Sequence, residues 1–223
     1  MKISDRFNLW SRVFGRGVYP HEMAWILDLP GRGAIMPART VADRLPVKPD
    51  AHVLEIGPGS GYYSVEVARR IPEGTLTLLD IQQGMLEKSA RKLKAAGMTH
   101  FSTCQSDGQS LPFESESFDA LFMVTVFGEI EARDSFLREA ARVLKANGVL
   151  SITEHHPDPD FESAREVAEC LRQHGFVPLQ KLGWRWAYTL NASKVIAGKS
   201  RQTGKPHSRE RRPFVAVGSA AWN

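Results

Sequence analysis

Short apolar segments alternate with helical segments along most of the chain, and this alternation limits the possible folds more than any other feature. Strand-like segments are predicted at 52–57, 75–80, 100–105, 119–126, 148–154, 175–181 and 187–196. Helical periodicity is predicted at about 62–71, 83–96, 131–145 and 161–174, with Asp160 as the cap of the last helix. Strands that alternate with helices favour a parallel sheet covered on both faces. We therefore predict an α/β fold with a doubly wound, mostly parallel, seven-stranded sheet.

The last two strand-like segments break this alternation. Only "LGWRW" separates 175–181 from 187–196, which is too short for the helical crossover that parallel strands require. These two segments are therefore predicted to form a C-terminal antiparallel hairpin.

A glycine-rich turn follows the first predicted strand. In "VLEIGPGSGYYS", residues 53–64, glycines stand at 57, 59 and 61. At the switch point of a doubly wound sheet, glycines let a ligand lie against the backbone at the start of the next helix. Asp80 ends the second strand and is suited to hydrogen-bond both hydroxyls of a ribose. The spacing differs from Gly-x-Gly-x-x-Gly, which weakens the interpretation as a dinucleotide site.

Length and charge limit the organisation further. The 223 residues carry a net charge of +4, but the six basic and one acidic residues of 198–223 contribute +5, so the rest carries −1. We predict an N-terminal helical lid segment at 1–45, a ligand-binding domain at 46–197 and a basic flexible tail at 198–223. The main body therefore gives no strong reason to expect a nucleic-acid partner.

Targeting and metal-binding features are not predicted. The sequence shows no apolar run of about 18 residues and no secretory signal, so a cytoplasmic location is expected. Cys104 and Cys170 have no metal-ligand spacing, and no cysteine lies near the pair His155 and His156. We therefore predict no metal site.

Four segments, in order and at similar separations, resemble the class I S-adenosylmethionine-dependent methyltransferases, and most closely the branch of ubiquinone and menaquinone biosynthesis methyltransferases. They are "VLEIGPGSGYYS", "LTLLDIQQGML", "SDGQSLPFESESFDALFMV" and "FLREAARVLKANGVLSITE". With the terminal hairpin they span roughly residues 50–197. The resemblance implies a Rossmann-like fold and S-adenosyl-L-methionine as cofactor. One departure is Lys145-Ala146-Asn147-Gly148, where the family often has a double glycine before the fifth strand.

The resemblance also implies the cofactor-binding residues. Glu55 and the loop of Gly57, Gly59 and Gly61 are expected to hold the methionine end of the cofactor. Asp80 is expected at the ribose and Ile81 against the adenine face. Asp107 is expected to accept from the adenine amino group, with Gly108 at the edge of the ring, although Asp107 also suits a simple turn.

The implied reaction moves a methyl group to a small, hydrophobic acceptor by in-line displacement. The protein must align the acceptor and exclude water, and it needs a general base only where the acceptor loses a proton. The candidate bases are Glu129, His155 and His21, with Glu154, His156 and Tyr19 as weaker candidates. An Asp160-capped turn also explains both histidines of "HHPDPD".

Residues 1–17 carry an apolar stripe of Ile3, Phe7, Trp10 and Phe14 within a basic segment. The stripe suits a lid over the acceptor, or a weak contact with an anionic membrane surface. Both interpretations favour a lipophilic acceptor. The alternatives are a methyltransferase acting on a protein or nucleic acid, and a non-catalytic S-adenosylmethionine-binding interaction protein. An NAD-linked oxidoreductase would leave the hairpin unexplained, and the proline-rich element of DNA amino-methyltransferases is missing.

Overall fold

Seven strands form one sheet in the computed structural model, which describes residues 36–195. The strands are β1 (His52–Ile56), β2 (Thr75–Asp80), β3 (Phe101–Gln105), β4 (Phe118–Val124), β5 (Leu144–His155), β6 (Phe176–Trp184) and β7 (Ala187–Lys194). Their order across the sheet is β3-β2-β1-β4-β5-β7-β6. The described helices are α1 (Ala38–Arg44), α2 (Tyr62–Arg70), α3 (Gln83–Ala95), α4 (Arg133–Val143) and α5 (Ala164–Gln173), with a 3₁₀ turn at Phe127–Glu129.

Strand directions confirm the predicted doubly wound sheet. The pairs β3-β2, β2-β1, β1-β4 and β4-β5 are parallel. β7 runs antiparallel to both β5 and β6, as expected for a C-terminal hairpin inserted beside β5. Because β2 and β4 flank β1, the chain leaves β1 at the point where the winding direction reverses.

Two apolar clusters cover the two faces of the sheet. On one face, α4 and α5 pack against Leu54, Leu121 and Ile152. On the other face, α1, α2 and α3 pack against Val53 and Phe122. The alternation of faces along each strand explains why neighbouring residues of one strand join different clusters. Helix α1 shares this second core, so residues 36–45 pack directly on the sheet domain.

Two predicted boundaries are wrong. Asp160 does not cap the helix predicted at 161–174, because α5 begins at Ala164 and Ser163 caps it. The Ser163 hydroxyl accepts from the Glu166 N–H at 3.3 Å, and the Glu166 carboxylate accepts from the Ser163 N–H at 2.9 Å. The hairpin is also tighter than predicted, because β6 continues to Trp184 and pairs it with Ala187.

The segment Lys145–Gly148, where the sequence departs from the family pattern, forms an irregular start to β5. Phe118 pairs with Leu144, but the next pairing joins Ala120 to Val149, so the intervening residues bulge outward. Lys145 Nζ lies 2.8 Å from the Asp119 carboxylate, which also accepts from the His52 N–H at 2.8 Å. The departure therefore changes a loop at the amino-terminal edge of β1, away from the carboxyl ends of the strands.

Several predicted features lie outside the described residues. They are the apolar stripe of 1–17, Tyr19, His21 and the tail at 198–223. Within residues 36–195, no helix combines the length and apolar character needed to cross a membrane.

A histidine joins α4 to α5. His174 Nδ1 lies 2.8 Å from the Cys170 carbonyl oxygen, and Nε2 lies 2.8 Å from Asp134 Oδ1. Both nitrogens donate only when the imidazole is protonated. The Cys170 carbonyl and then the Asp134 carboxylate raise the pKa of His174.

We predict that this contact stabilises the fold under acidic conditions only. A folded-state pKa above the unfolded value gives stability that is present at low pH and is lost as pH rises through the folded pKa. His174→Gln should lower Tm by about 2–4 °C at pH 5.5 and by much less at pH 9. Thermal unfolding followed by circular dichroism at both pH values measures this, with exposed His100→Gln as the control. An equal loss at both pH values would contradict the charged contact.

Candidate functional site

The carboxyl ends of the parallel strands collect the predicted binding residues at one edge of the sheet. Glu55 lies near the end of β1 and Asp80 ends β2. In the register of the sheet, Asp80 stands beside Gln105, the last residue of β3. This edge is where open α/β sheets bind ligands.

Glu55 is a carboxylate buried in the centre of the sheet. It is 2% exposed, and its Oε2 atom has no hydrogen-bond partner among the described residues. Burial raises the pKa of Glu55 to about 8, the Ser64 side chain acts against this increase, and repulsion from Asp80 adds to it. A buried carboxyl oxygen without a donor is costly, so this atom is suited to receive a cationic or hydrogen-bond-donating ligand.

The glycine loop is shaped by close contacts. Gly57 has a φ of 64°, and a Cβ built on it would lie 2.6 Å from the Val126 side chain. Gly61 has a φ of 79°, and its Cβ would lie 2.8 Å from the Ser89 Cα on α3. Gly59 also has a positive φ, of 55°. The loop therefore needs glycine both for its left-handed backbone and for its packing against neighbouring elements.

Asp80 connects the glycine loop to the end of β2. Its Oδ1 accepts from the Gln82 N–H at 2.9 Å, and the backbone N–H of Gly59 also donates to the carboxylate. Burial raises the pKa of Asp80, while these N–H donors act against the increase. Two poorly solvated carboxyl groups, Glu55 and Asp80, thus lie at the same edge.

The residues expected around an adenine ring lie just beyond this point. Ile81 is 47% exposed, and its carbonyl accepts from the Gln105 side chain at 3.0 Å. β3 ends at Gln105, as predicted, and Asp107 lies in the following loop. Its Oδ1 accepts from the Gln109 N–H at 3.0 Å, so Asp107 forms the turn that was the alternative interpretation. Gly108 follows with a φ of 76°.

An ion pair on α4 holds this loop in place. Arg142 donates to the carbonyl oxygens of Leu111 and Phe113, each at 2.8 Å. Glu139 accepts from the Leu111 N–H at 2.9 Å, and its hydrogen bond with Arg142 lowers the pKa of Glu139 to about 2. Glu139 and Arg142 of α4 therefore hold the backbone of the loop that carries Asp107.

The structure adds Thr125 to the site, which sequence reasoning missed. Thr125 follows β4 with a φ of 52°, an uncommon value for a residue other than glycine. Its N–H donates to the Thr153 carbonyl at 2.8 Å, which holds the loop beside β5. Strained residues cluster at functional sites, but the sequence gives no signal of this conformation.

His155 is the best placed of the predicted general bases. It ends β5, is 6% exposed, and faces the side of the sheet covered by α1 and α2. Its Nε2 atom lies 3.4 Å from the Tyr63 hydroxyl, which in turn lies 3.4 Å from the Met36 carbonyl oxygen. Its Nδ1 atom lies 3.2 Å from the His156 carbonyl oxygen. Sequence reasoning missed Tyr63, which is 92 residues away along the chain.

The other predicted bases are dispersed. Glu129 lies on the 3₁₀ turn after β4 and is partly buried. Glu154 pairs with Tyr188 on the opposite face of the sheet from His155, and burial followed by repulsion from Asp158 raises the pKa of Glu154. His21 lies outside the described residues.

Aromatic rings form a wall just after the end of β5, on the face of the sheet covered by α4 and α5 and opposite to the face of His155. The His156 ring stacks on Phe161 at 4.1 Å and meets Trp186 edge-on at 5.6 Å. The His156 N–H also donates to the Trp186 carbonyl at 2.9 Å, which attaches the hairpin tip to the end of β5. An apolar ligand reaching the end of β5 would therefore contact aromatic surface.

The two buried carboxyl groups and the glycine loop fit S-adenosylmethionine, the cofactor implied by the sequence. That molecule carries a sulfonium and an ammonium group, and the unpartnered Glu55 oxygen provides an acceptor for a cation. The Asp80 carboxylate suits the ribose hydroxyls, and the loop Gly57–Gly61 leaves room for a ligand against the backbone. The pairing of a glycine turn with two buried acids matches a cationic nucleoside better than a pyrophosphate.

Comparison with known proteins identifies the same region. The family described as "Methyltransferase domain" matches residues 54–152. The ubiquinone/menaquinone biosynthesis C-methyltransferase UbiE of Xanthomonas axonopodis pv. citri is 34% identical over 162 residues, covering 70% of this chain and 61% of that protein. The fatty-acid O-methyltransferase of Mycolicibacterium smegmatis is 33% identical over 133 residues, covering 60% of this chain and 45% of that protein.

Solved structures share the fold. A SAM dependent methyltransferase from Aquifex aeolicus superposes with a TM-score of 0.74 at 22% identity, covering 80% of this chain and all of that chain. The Haloferax volcanii putative methyltransferase bound to the Trm112 activator gives a TM-score of 0.67 at 17% identity, covering 79% of this chain and 96% of that chain. These likenesses concern the fold alone.

We predict that cofactor binding releases a proton from Glu55. With a pKa of about 8, most Glu55 side chains are protonated at pH 7, and a bound cation should favour the carboxylate. Calorimetric titration of S-adenosylmethionine at pH 7 in two buffers of different ionisation enthalpy should report nearly one proton released. Glu55→Gln should bind with almost no proton release, while Glu73→Gln at the opposite edge should behave as wild type. Undiminished proton release in Glu55→Gln would contradict the assignment.

A second prediction concerns Asp80. Asp80→Ala removes the acceptor for the ribose hydroxyls and for two loop N–H groups, so affinity should fall by about 5- to 150-fold, equivalent to about 1–3 kcal/mol. Glu87→Ala, an exposed acid on α3, is the matched control. Calorimetry that gives Asp80→Ala an unchanged Kd would remove Asp80 from the site.

Proposed function

We propose that the chain is a class I S-adenosylmethionine-dependent methyltransferase that transfers a methyl group from this cofactor to a small, lipophilic acceptor. The chain spans 61% of the length of the UbiE proteins of Xanthomonas oryzae and Xanthomonas axonopodis that it matches.

The observation that carries the proposal is the unpartnered Oε2 atom of Glu55 beside the glycine loop. A buried acid at this point lowers stability unless a ligand compensates it. The second acid, Asp80, lies close enough to raise the pKa of Glu55, so the local field favours a cation. A cationic nucleoside satisfies both acids at once.

The chain's contribution to the reaction is binding, alignment and exclusion of water. When bound, S-adenosylmethionine supplies a methyl group that its positively charged sulfur makes electrophilic. Glu55 and the glycine loop fix the methionine end, and Asp80 fixes the ribose. The loops after β4 and β5, with Thr125 and His155, provide the side of the pocket from which an acceptor approaches in line.

His155 is the proton acceptor in this proposal when the acceptor carries a hydroxyl group. Its position at the end of β5 places it at the same edge as the cofactor-binding loops. The Tyr63 hydroxyl and the His156 carbonyl lie on opposite sides of the imidazole and fix its plane. If Nδ1 carries the proton and donates to the His156 carbonyl, Nε2 is the nitrogen that can accept a proton.

The aromatic wall after the end of β5 supports a lipophilic acceptor. His156, Phe161 and Trp186 present ring surface at the carboxyl edge of the sheet. Relatives named for ubiquinone and menaquinone biosynthesis and for fatty acids support the same class of acceptor. Membrane contact through residues 1–17 stays a prediction.

A panel assay tests the proposal directly. The purified chain is incubated with S-adenosylmethionine and with hydroquinones, phenols and fatty acids, and S-adenosylhomocysteine is measured. We expect turnover with at least one apolar acceptor and none with protein or nucleic acid. Cofactor binding without product from any acceptor would indicate a non-catalytic binding protein, and turnover only on a macromolecule would overturn the acceptor class.

We predict that His155→Gln lowers kcat for a hydroxyl acceptor by about 10- to 100-fold with little change in KM. A protonated imidazole cannot accept a proton, so the wild-type rate should fall on acidification, and the variant should lack this limb of the pH profile. His100→Gln, which lies at the opposite edge of the sheet, is the control. An unchanged pH profile in His155→Gln would exclude His155 as the base.

A further inference from the structure

Arg44 is a positively charged side chain that contacts neutral groups and forms no ion pair with another described residue. At the end of α1, its Nη1 atom lies 3.4 Å from Thr189 Oγ1 and 3.6 Å from Met36 Sδ, both of them neutral atoms. Among residues 36–195, no carboxylate forms an ion pair with it. The adjacent acid, Asp43, instead pairs with Arg39 and Arg70.

Contacts on several sides fix the Arg44 guanidinium. The Asn191 side chain donates to the Arg44 carbonyl at 2.9 Å, which anchors the end of α1 on β7. Thr189 is in turn supported by Thr153 Oγ1 at 2.9 Å. A Cβ built on Gly183 would lie 3.0 Å from both Nη1 and Nη2, so the guanidinium lies close against the hairpin backbone.

Arg44 is partly removed from water and has only neutral partners among the described residues. This partial burial lowers the pKa of Arg44, and an anion would compensate the charge. The side chain is nonetheless held in place, so the conformational entropy of a long side chain is lost before any ligand binds. A guanidinium that is already oriented binds a carboxylate or phosphate with little further loss of entropy.

Apolar surface adjoins the guanidinium. Leu182 pairs with Thr189, and Trp184 pairs with Ala187, so both side chains share the face on which Arg44 lies. Trp184 is 81% exposed, the largest exposure among the exposed apolar side chains of the described chain. A ligand with its anionic group on Arg44 can therefore place an apolar body on the indole.

We propose that Arg44, with Thr189 and the hairpin face of Leu182 and Trp184, binds the anionic group of an amphipathic ligand, a carboxylate or phosphate joined to an apolar body. The anionic group of the ligand forms hydrogen bonds with the Arg44 guanidinium, and its apolar part packs against Trp184. Neither group belongs to the cofactor-binding loops.

The register relates this site to the cofactor edge. Thr189 on β7 pairs with Thr153 on β5, and Thr153 pairs with Val124 on β4. Val124 directly follows Met123, which pairs with Ile56 at the end of β1. Three strand spacings of about 4.8 Å place Thr189 about 14 Å from the glycine loop. An elongated acceptor could bridge this distance, and identifying the ligand with the acceptor rests on the proposed function, whereas the binding itself does not.

Binding of octanoate tests the site, with tryptophan fluorescence as the readout. We expect Arg44→Gln to weaken octanoate binding about tenfold or more, since charge-assisted hydrogen bonds are lost. Arg39→Gln, an 80%-exposed arginine on the same helix, should bind as wild type. Octanol should bind wild type and Arg44→Gln equally weakly. Arg44→Lys should be intermediate, and Trp184→Ala, measured by calorimetry because it removes the reporting indole, should weaken binding without affecting the buried core.

Two further measurements distinguish the source of the anion. Inorganic phosphate should compete with octanoate, and sedimentation with phosphatidylglycerol vesicles that depends on Arg44 would identify a lipid headgroup rather than a soluble acid. Equal binding by wild type and Arg44→Gln, equal losses in Arg44→Gln and Arg39→Gln, or no octanoate binding by wild type would each overturn the site. Methyl transfer without Arg44-dependent binding would remove only this proposal, and Arg44-dependent binding without any turnover would remove only the proposed function.

Discussion

The central strand β1 determines where polar chemistry is possible in this chain. β1 pairs with β2 on one side and β4 on the other, and helices cover both faces. A polar side chain in the middle of such a strand has no access to water, so only the two ends of the strand can offer polar groups to a ligand. Glu55 lies one residue before the end of β1, so its carboxylate is buried but faces the loop where a ligand enters. The rest of the site is arranged around this one carboxylate.

The sequence predicted most of the framework, because alternating apolar periodicity reports which faces are covered. The doubly wound, mostly parallel sheet and the C-terminal hairpin followed from that alternation, and the glycine loop and Asp80 located the binding edge, whereas the order of the strands came from the structure. The helix cap was misassigned because Asp160 and Ser163 are both good caps. The deciding signal was Glu166, three residues after Ser163, which completes the reciprocal hydrogen bonds.

Other features had no local signal. The contact of Tyr63 with His155 spans 92 residues, and that of Arg44 with Thr189 spans 145. The loop between β4 and the 3₁₀ turn imposes the left-handed backbone of Thr125. A threonine in the sequence gives no indication of this conformation. Such features depend on how distant elements pack, whereas periodicity reports only the local pattern of burial.

The hairpin of β6 and β7 has a consequence for how this chain can change over evolutionary time. β7 is paired with β5 at seven positions, from Val149 with Ser193 to His155 with Ala187, so its register does not depend on its tip. Only Arg185 and Trp186 form the turn between the strands. Substitutions at the tip can therefore alter the surface offered to a substrate while the paired strands and the buried acids stay in place. Ligand preference can diversify there at little risk to folding.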